Sequence, residues 1–155
     1  MIFAGEDVSN ADPRALPLAV AAAQAHEMTG LPESRIILAH AVTYLASAAK
    51  SNASYLGLKA ATDAIRSHGA QPVPIALRNP DSAISRNLKW GEAYRNPHRA
   101  GGFETADYLP DALHGKQFYQ PTENGYEGRL KERLALWRSL RAGHESEDAP
   151  ASETS

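Results

Sequence analysis

The residues able to do chemistry are few and poorly spaced for it. Six histidines, His26, His40, His68, His98, His114 and His144, show neither the HExxH nor the H-x3-H spacing that sets two imidazoles on one helix face around a zinc ion. The chain contains no cysteine, so thiolate nucleophiles, disulfides and cysteine zinc sites are excluded together. Glu6 and Asp7 are adjacent carboxylates, a pairing that within one site could serve as general acid and base. Helical neighbours point about 100° apart, so a cap or an ion pair is their expected use. A hydrolase built from His26 or His40 with Glu6 or Asp7 would need a deep pocket, and none is expected. No glycine opens the GxxxxGK[ST] loop that cradles nucleotide phosphates. Gly101 and Gly102 read as a turn, not as a dinucleotide fingerprint. The chain is therefore expected not to be an enzyme, with no catalytic residue, bound cofactor or metal of its own.

One cluster suits binding instead. Arg78, Arg86, Lys89, Arg95 and Arg99 outnumber Asp81 and Glu92 and are interleaved with Trp90 and Tyr94. Cations that neutralise phosphates, beside rings that stack on bases, are what a nucleic-acid contact requires. The plainer use is a surface loop pinned by its aromatics. Arg129, Lys131, Arg133, Arg138 and Arg141 read as the solvated face of a terminal helix.

The elements that must position these groups are helical. Asp12 as N-cap and Pro13 at the first helical position open an alanine-rich helix that Gly30 stops. Pro32 and Glu33 open a second, whose run from Ile36 to Ala49 is apolar on nearly every side, as in a helix buried all round or shared with a neighbouring subunit. Ile36, Ile37, Val42, Tyr44 and Leu45 are its candidate subunit contacts. Tyr55, Leu56, Leu58, Ala61 and Ile65 recur at helical spacing in a third helix over 52–68, stopped by Gly69. Pro72, Pro74 and Pro80 then forbid continuous helix. Asn79 and Pro80 are expected to cap a short fourth helix to about Leu88. An irregular belt carrying Trp90, Tyr94, Phe103, Tyr108, Phe118 and Tyr119 follows, with room for one short β-hairpin. Thr122 is expected to cap the last helix, whose stripe is Tyr126, Leu130, Leu134, Trp137 and Leu140, with Glu127 and Lys131 as an i, i+4 pair. The expected fold is mainly all-α, a bundle of about five to six helices over 1–142.

The net charge is −2, and the segment 143–155 holds Glu145, Glu147, Asp148 and Glu153 with no Lys or Arg; removing those four charges leaves the body at +2. Such an acidic tail is expected to be disordered. No apolar run approaches the ~20 residues that span a bilayer, so no membrane contact is expected.

The strings EDVSNADPRALPLAVAAAQA, AKSNASYL, PVPIALRN and GGFETADYLPDALHGKQFYQPTENGYEGRLKERLALWRSLR resemble the C-terminal region of the replication-associated recombination protein A family. That family is also called MgsA and is related to the Werner-helicase-interacting ATPase. YLP, FYxPT and RLxxWRxLR occur together in the order and at the separations the family shows. The resemblance implies an AAA+ ATPase akin to clamp loaders, with ATP and magnesium in an N-terminal core that this chain lacks. It implies a helical C-terminal domain that assembles a homotetramer, action at stalled replication forks, and a cytoplasmic, nucleoid-associated location. DNA and single-stranded-DNA-binding protein are the implied partners beside the ATPase core. Two departures bear on local turns: Ala49 stands where the family has Pro, and Ser9 with Asn10 replaces a commoner Gly-containing turn.

Overall fold

Alanine decides how the first two helices meet. In the computed structural model, which describes residues 1–79, 81–92, 94, 96–99 and 102–147, helix α1 (Ala15–Thr29) buries Ala15, Ala19 and Ala22, three residues at i, i+4 and i+7. Helix α2 (Ser34–Ser47) answers with Ala41. Methyl side chains at the contact let the two backbones approach closely, and the short turn between them makes a hairpin. Gly30 ends α1 at φ +73, its amide donating to the His26 carbonyl. His26 Nδ1 lies 2.8 Å from the Oγ of buried Ser34, tying the turn across its mouth.

Three further helices are α3 (Ala53–His68), α4 (Ala83–Asn87) and α5 (Glu127–Glu147). A π-helical turn at Ala4–Val8 and a 3-10 turn at Ser9–Ala11 precede α1, and 3-10 turns at Ile75–Leu77, Pro97–Arg99 and Asp111–Leu113 punctuate the stretch between α3 and α5. The described chain is all-helical. The short β-hairpin allowed for in the belt does not form among the described residues, where proline and glycine remove ladder donors and side chains.

Several expected helix starts move. Asp12 is not the N-cap of α1: its carboxylate accepts from the amide and guanidinium of Arg14, and helix begins only at Ala15. For α4 the cap is Ser82, in a reciprocal capping box with Ser85, and Pro80 lies outside the described residues. Thr122 does not cap α5 either, since its amide and hydroxyl both donate to Glu127 and helix waits until that residue. Glu127 is thereby taken from Lys131, which pairs with Glu123 at 2.7 Å instead. Helix α5 continues to Glu147, past the point where the acidic tail was expected to begin; residues 148–155 lie outside the described residues.

The chain groups into two compact units. The first comprises Met1–Ala61 and Gln117–Arg133. Its core is Ala4, Val8, Ala15 and Ala19, with Leu45 and Ala48 packed against it. Backbone bonds stitch the opening turns to later segments, Ser51 N–H to the Asp7 carbonyl at 2.7 Å and Tyr126 N–H to the Ala11 carbonyl at 2.8 Å. Ser9 adopts φ 48 and is held there by a 2.8 Å bond from its hydroxyl to Ser54. The second unit takes Thr62–Lys116 and α5 from Leu134 onward. Within it Phe103 stacks on Trp137 with centroids 5.1 Å apart, Tyr94 meets Tyr108 at 6.4 Å, and Leu113 is buried. The aromatic belt is pinned by ring contacts rather than by strand pairing.

Candidate functional site

Large apolar side chains lie mostly outside. Of ten buried hydrophobic residues among those described, only Val8 and Leu113 are bigger than alanine. On α2, Ile36 is 77%, Val42 65% and Leu38 40% exposed. Four-residue spacing sets Leu38 and Val42 on one flank of the outer face and the 100° helical step puts Ile36 on the other. Exposed Ala39, Thr43 and Ala46 lie between them, so the outer face is a shallow trough between two apolar ridges. The candidate contact residues therefore divide. Ile36 and Val42 are open, whereas Ile37, Tyr44 and Leu45 are half-buried. Leu45 packs on the alanine core, and the Tyr44 hydroxyl donates to Asp12 at 2.6 Å.

The basic and aromatic residues also divide. The Arg78 guanidinium lies over the Trp90 ring at 5.5 Å while its Nε donates to the Val73 carbonyl. Trp90 is half-buried; Arg86, Lys89 and Tyr94 are exposed. Lys89 adopts φ 58 and sits 3.7 Å from Glu92. Arg95 and the side chain of Arg99 lie outside the described residues. On α5, Arg129, Lys131, Arg133 and Arg138 are exposed, and Arg141 is half-buried. The terminal stripe is shorter than expected, because Leu140 is 48% exposed.

Sequence reasoning missed the site of greatest electrostatic order. Glu127 is fully buried at the start of α5. Its Oε2 accepts from Ser51 Oγ at 2.7 Å, from Thr122 N at 2.8 Å and from Thr122 Oγ1 at 2.7 Å, and its Oε1 accepts from Tyr119 OH at 2.8 Å. Burial pushes the carboxyl up, and the bonds from Ser51, Thr122 and Tyr119 outweigh it, leaving it below the usual range. Burial, then the bond to Glu127, pushes the Tyr119 phenol up to about 12. Asn10 Nδ2 donates to the same phenol and to Ser54. A second ordered group is Asp12, which the Arg14 hydrogen bond, aided by Tyr44, holds at about 2 against its burial. No histidine takes part in either network, and no group of three or more His, Asp or Glu able to hold a metal ion occurs among the described residues. No described helix is long and apolar enough to cross a membrane.

What fold and surface define is an all-helical domain whose sequence has no phosphate-binding loop and whose larger apolar side chains are presented outward. The profile of one family, described as MgsA AAA+ ATPase C terminal, matches residues 1–138, and the chain belongs to that family. It is 42% identical to replication-associated recombination protein A of Coxiella burnetii over 93% of this chain and 33% of that protein. Its identity to the protein of the same name in Escherichia coli K12 is 37%, over 87% of this chain and 31% of that protein. ATPase WRNIP1 of Dictyostelium discoideum is 34% identical over 76% of this chain and 14% of that protein. The chain spans about a third of the length of these two bacterial relatives.

Proposed function

We propose that this domain is the self-association module, building a homotetramer, of an AAA+ ATPase that acts in DNA replication and recombination. The observation that carries the reading is the outer face of α2. Fully burying a Val, Leu or Ile is worth ~1.5–3 kcal/mol, so at the exposures of Ile36, Leu38 and Val42 one copy has ~3–5 kcal/mol to gain by covering them. Association costs ~4–15 kcal/mol. Only a two-fold contact, in which the same face counts on both copies, reaches that scale. The trough between the ridges is shaped for a helix, and the domain carries such a helix itself. The names of the relatives support the replication and recombination setting, and ATP with magnesium belongs to the ATPase core that such a parent protein would carry. Sedimentation across concentration tests the reading. The domain should run larger than 16.7 kDa, and Ile36→Asp with Val42→Asp should return it to that mass; a wild-type domain that stays monomeric at tens of micromolar refutes it.

A DNA contact through Arg78, Arg86, Lys89, Trp90, Tyr94, Arg95 and Arg99 is the second reading. It is favoured by the exposure of Arg86, Lys89 and Tyr94 within one short stretch. Retention of single-stranded DNA that weakens steeply with salt, and is lost on Arg86→Ala with Lys89→Ala, would support it. Single-stranded-DNA-binding protein is a further partner consistent with this setting.

A further inference from the structure

Between the entry to α1, the end of α2 and the first turns of α5 lies a cleft of about 830 Å³. That is within the ~300–1,000 Å³ typical of small-molecule sites. Its walls are mostly apolar, with Pro13, Ala48 and Ala49 beside the rings of Tyr44 and Tyr126. Three charged groups border it: Asp12, Arg14 and Arg129.

Two of these are spent on each other. Asp12 accepts from Arg14 Nε at 2.9 Å and Nη2 at 3.2 Å and from the Tyr44 hydroxyl, and the Arg14 guanidinium lies over the Tyr44 ring at 5.9 Å. The third has no partner among the described residues. Of the nearby carboxylates, Glu123 is committed to Lys131 and Glu127 to its buried network, while exposed Glu132, one turn further along α5, forms no ion pair with Arg129. Arg129 therefore presents an unpaired guanidinium at the rim of an apolar, partly aromatic wall. A planar guanidinium with free donors matches a carboxylate in two parallel hydrogen bonds, and the tyrosines offer flat surface to an apolar body.

We propose that this cleft binds a small aromatic monocarboxylic acid, its carboxylate paired with Arg129 and its ring against Tyr44, Tyr126 and Ala48. A single net charge fits a monoanion better than a phosphate dianion, which would leave charge unmatched in the cleft. The cleft adjoins the end of the outer face of α2 at Ser47 but includes none of Ile36, Leu38 and Val42, so ligand binding and self-association are read by different substitutions.

The test is a titration of the isotope-labelled domain with 3-phenylpropionate, followed by amide resonances, up to concentrations on the order of 10 mM. Saturating shifts at Gly125 and Ala49 are expected. The uncharged 3-phenylpropionamide should bind about tenfold more weakly, Arg129→Gln should weaken the acid equally, and Arg129→Lys should restore part of the loss. Ser47→Leu, which narrows the cleft from an exposed position, should abolish saturation and serves if the Arg129 variants misfold. Absence of saturation, or equal binding of acid and amide, overturns the proposal.

Discussion

Replacing Glu127 by alanine strands donors around a fully buried carboxylate. Four of them address the carboxylate at 2.7–2.8 Å: Ser51 Oγ, Tyr119 OH, and the amide and hydroxyl of Thr122. Each buried donor left unsatisfied costs ~1–3 kcal/mol. The Ser51 and Thr122 hydroxyls can rotate toward other acceptors, so about two donors remain stranded, and the loss should be ~4 kcal/mol, within the ~3–5 kcal/mol for breaking a buried charged interaction. Glu127→Gln should cost less, ~1–2 kcal/mol. Its carbonyl can still accept from Ser51 and Thr122, and the Tyr119 hydroxyl can turn to accept from the new amide. The pH dependence separates charge from shape. The folded carboxyl titrates below its ordinary value of 4.5, so its contribution is fully present above that value and fades as pH falls through the lower folded value. The difference between wild type and Glu127→Gln should therefore be widest near neutrality and shrink as pH falls below 4.5. Urea unfolding followed by circular dichroism, at one protein concentration because self-association would add stability, measures all three proteins. A loss under ~1 kcal/mol for Glu127→Ala, or a Glu127→Gln difference that does not change with pH, would refute the reasoning.

Gly125 sits at φ +56, and a Cβ there would fall on the Ala11 carbonyl oxygen, the same atom that accepts from Tyr126 N–H. Gly125→Ala should therefore lower stability by more than ~2 kcal/mol, read as a fall in the urea midpoint with unchanged slope. Tyr119 has its folded value raised to about 12 from 10.0, so its contribution is intact below pH 10 and lost between there and 12. Tyr119→Phe should flatten that alkaline limb of the stability curve. The reverse sign holds for Asp12, lowered from 3.8 to about 2: Asp12→Asn should remove part of the stability lost on acidification between those values, seen as a shallower acid unfolding curve. Glu123→Gln, which breaks only an exposed pair with Lys131, should leave the unfolding midpoint unchanged.

Periodicity made the helices legible because it reports burial on one face, and α1, α2 and α3 fall within two or three residues of where their spacing and terminal glycines place them. Caps were harder. Asp12, Asn79 and Thr122 have the right side chains for an N-cap, yet each sits before a helix that starts later; for Asp12 and Thr122 the same carboxylate or hydroxyl stabilises a turn ahead of the helix, and for Asn79 the cap passes to Ser82. Thr122 shows the competition directly: its oxygen accepts from Asn124 N–H while donating to Glu127. The i, i+4 reading of Glu127 with Lys131 failed for a related reason. Local spacing ranks a neighbour four residues on, but a fixed cluster of hydroxyl donors from 51, 119 and 122 binds a carboxylate more strongly than one mobile lysine in water. Nothing along the chain marks that convergence, because Ser51 and Glu127 are 76 residues apart.

The distribution of size between inside and outside connects the fold to its use. A hairpin whose buried apolar residues are Ala15, Ala19, Ala22 and Ala41 buries little area per residue, and alanine loses almost no side-chain entropy on burial. Close backbone approach replaces bulk as the source of contact, and Ile36, Leu38 and Val42 of α2 are left on flanks that stay exposed. In a solitary domain that arrangement forgoes several kcal/mol from Ile36, Leu38 and Val42. The polar knot at Glu127 then has a clear task, since it fixes the opening of α3, the Tyr119–Thr122 segment and the start of α5 where apolar packing is thin. The same asymmetry predicts how substitutions sort. Changes at Glu127 or Gly125 should act on the folding of one copy at every protein concentration, whereas Ile36→Asp and Val42→Asp should act only where copies meet, and so depend on concentration.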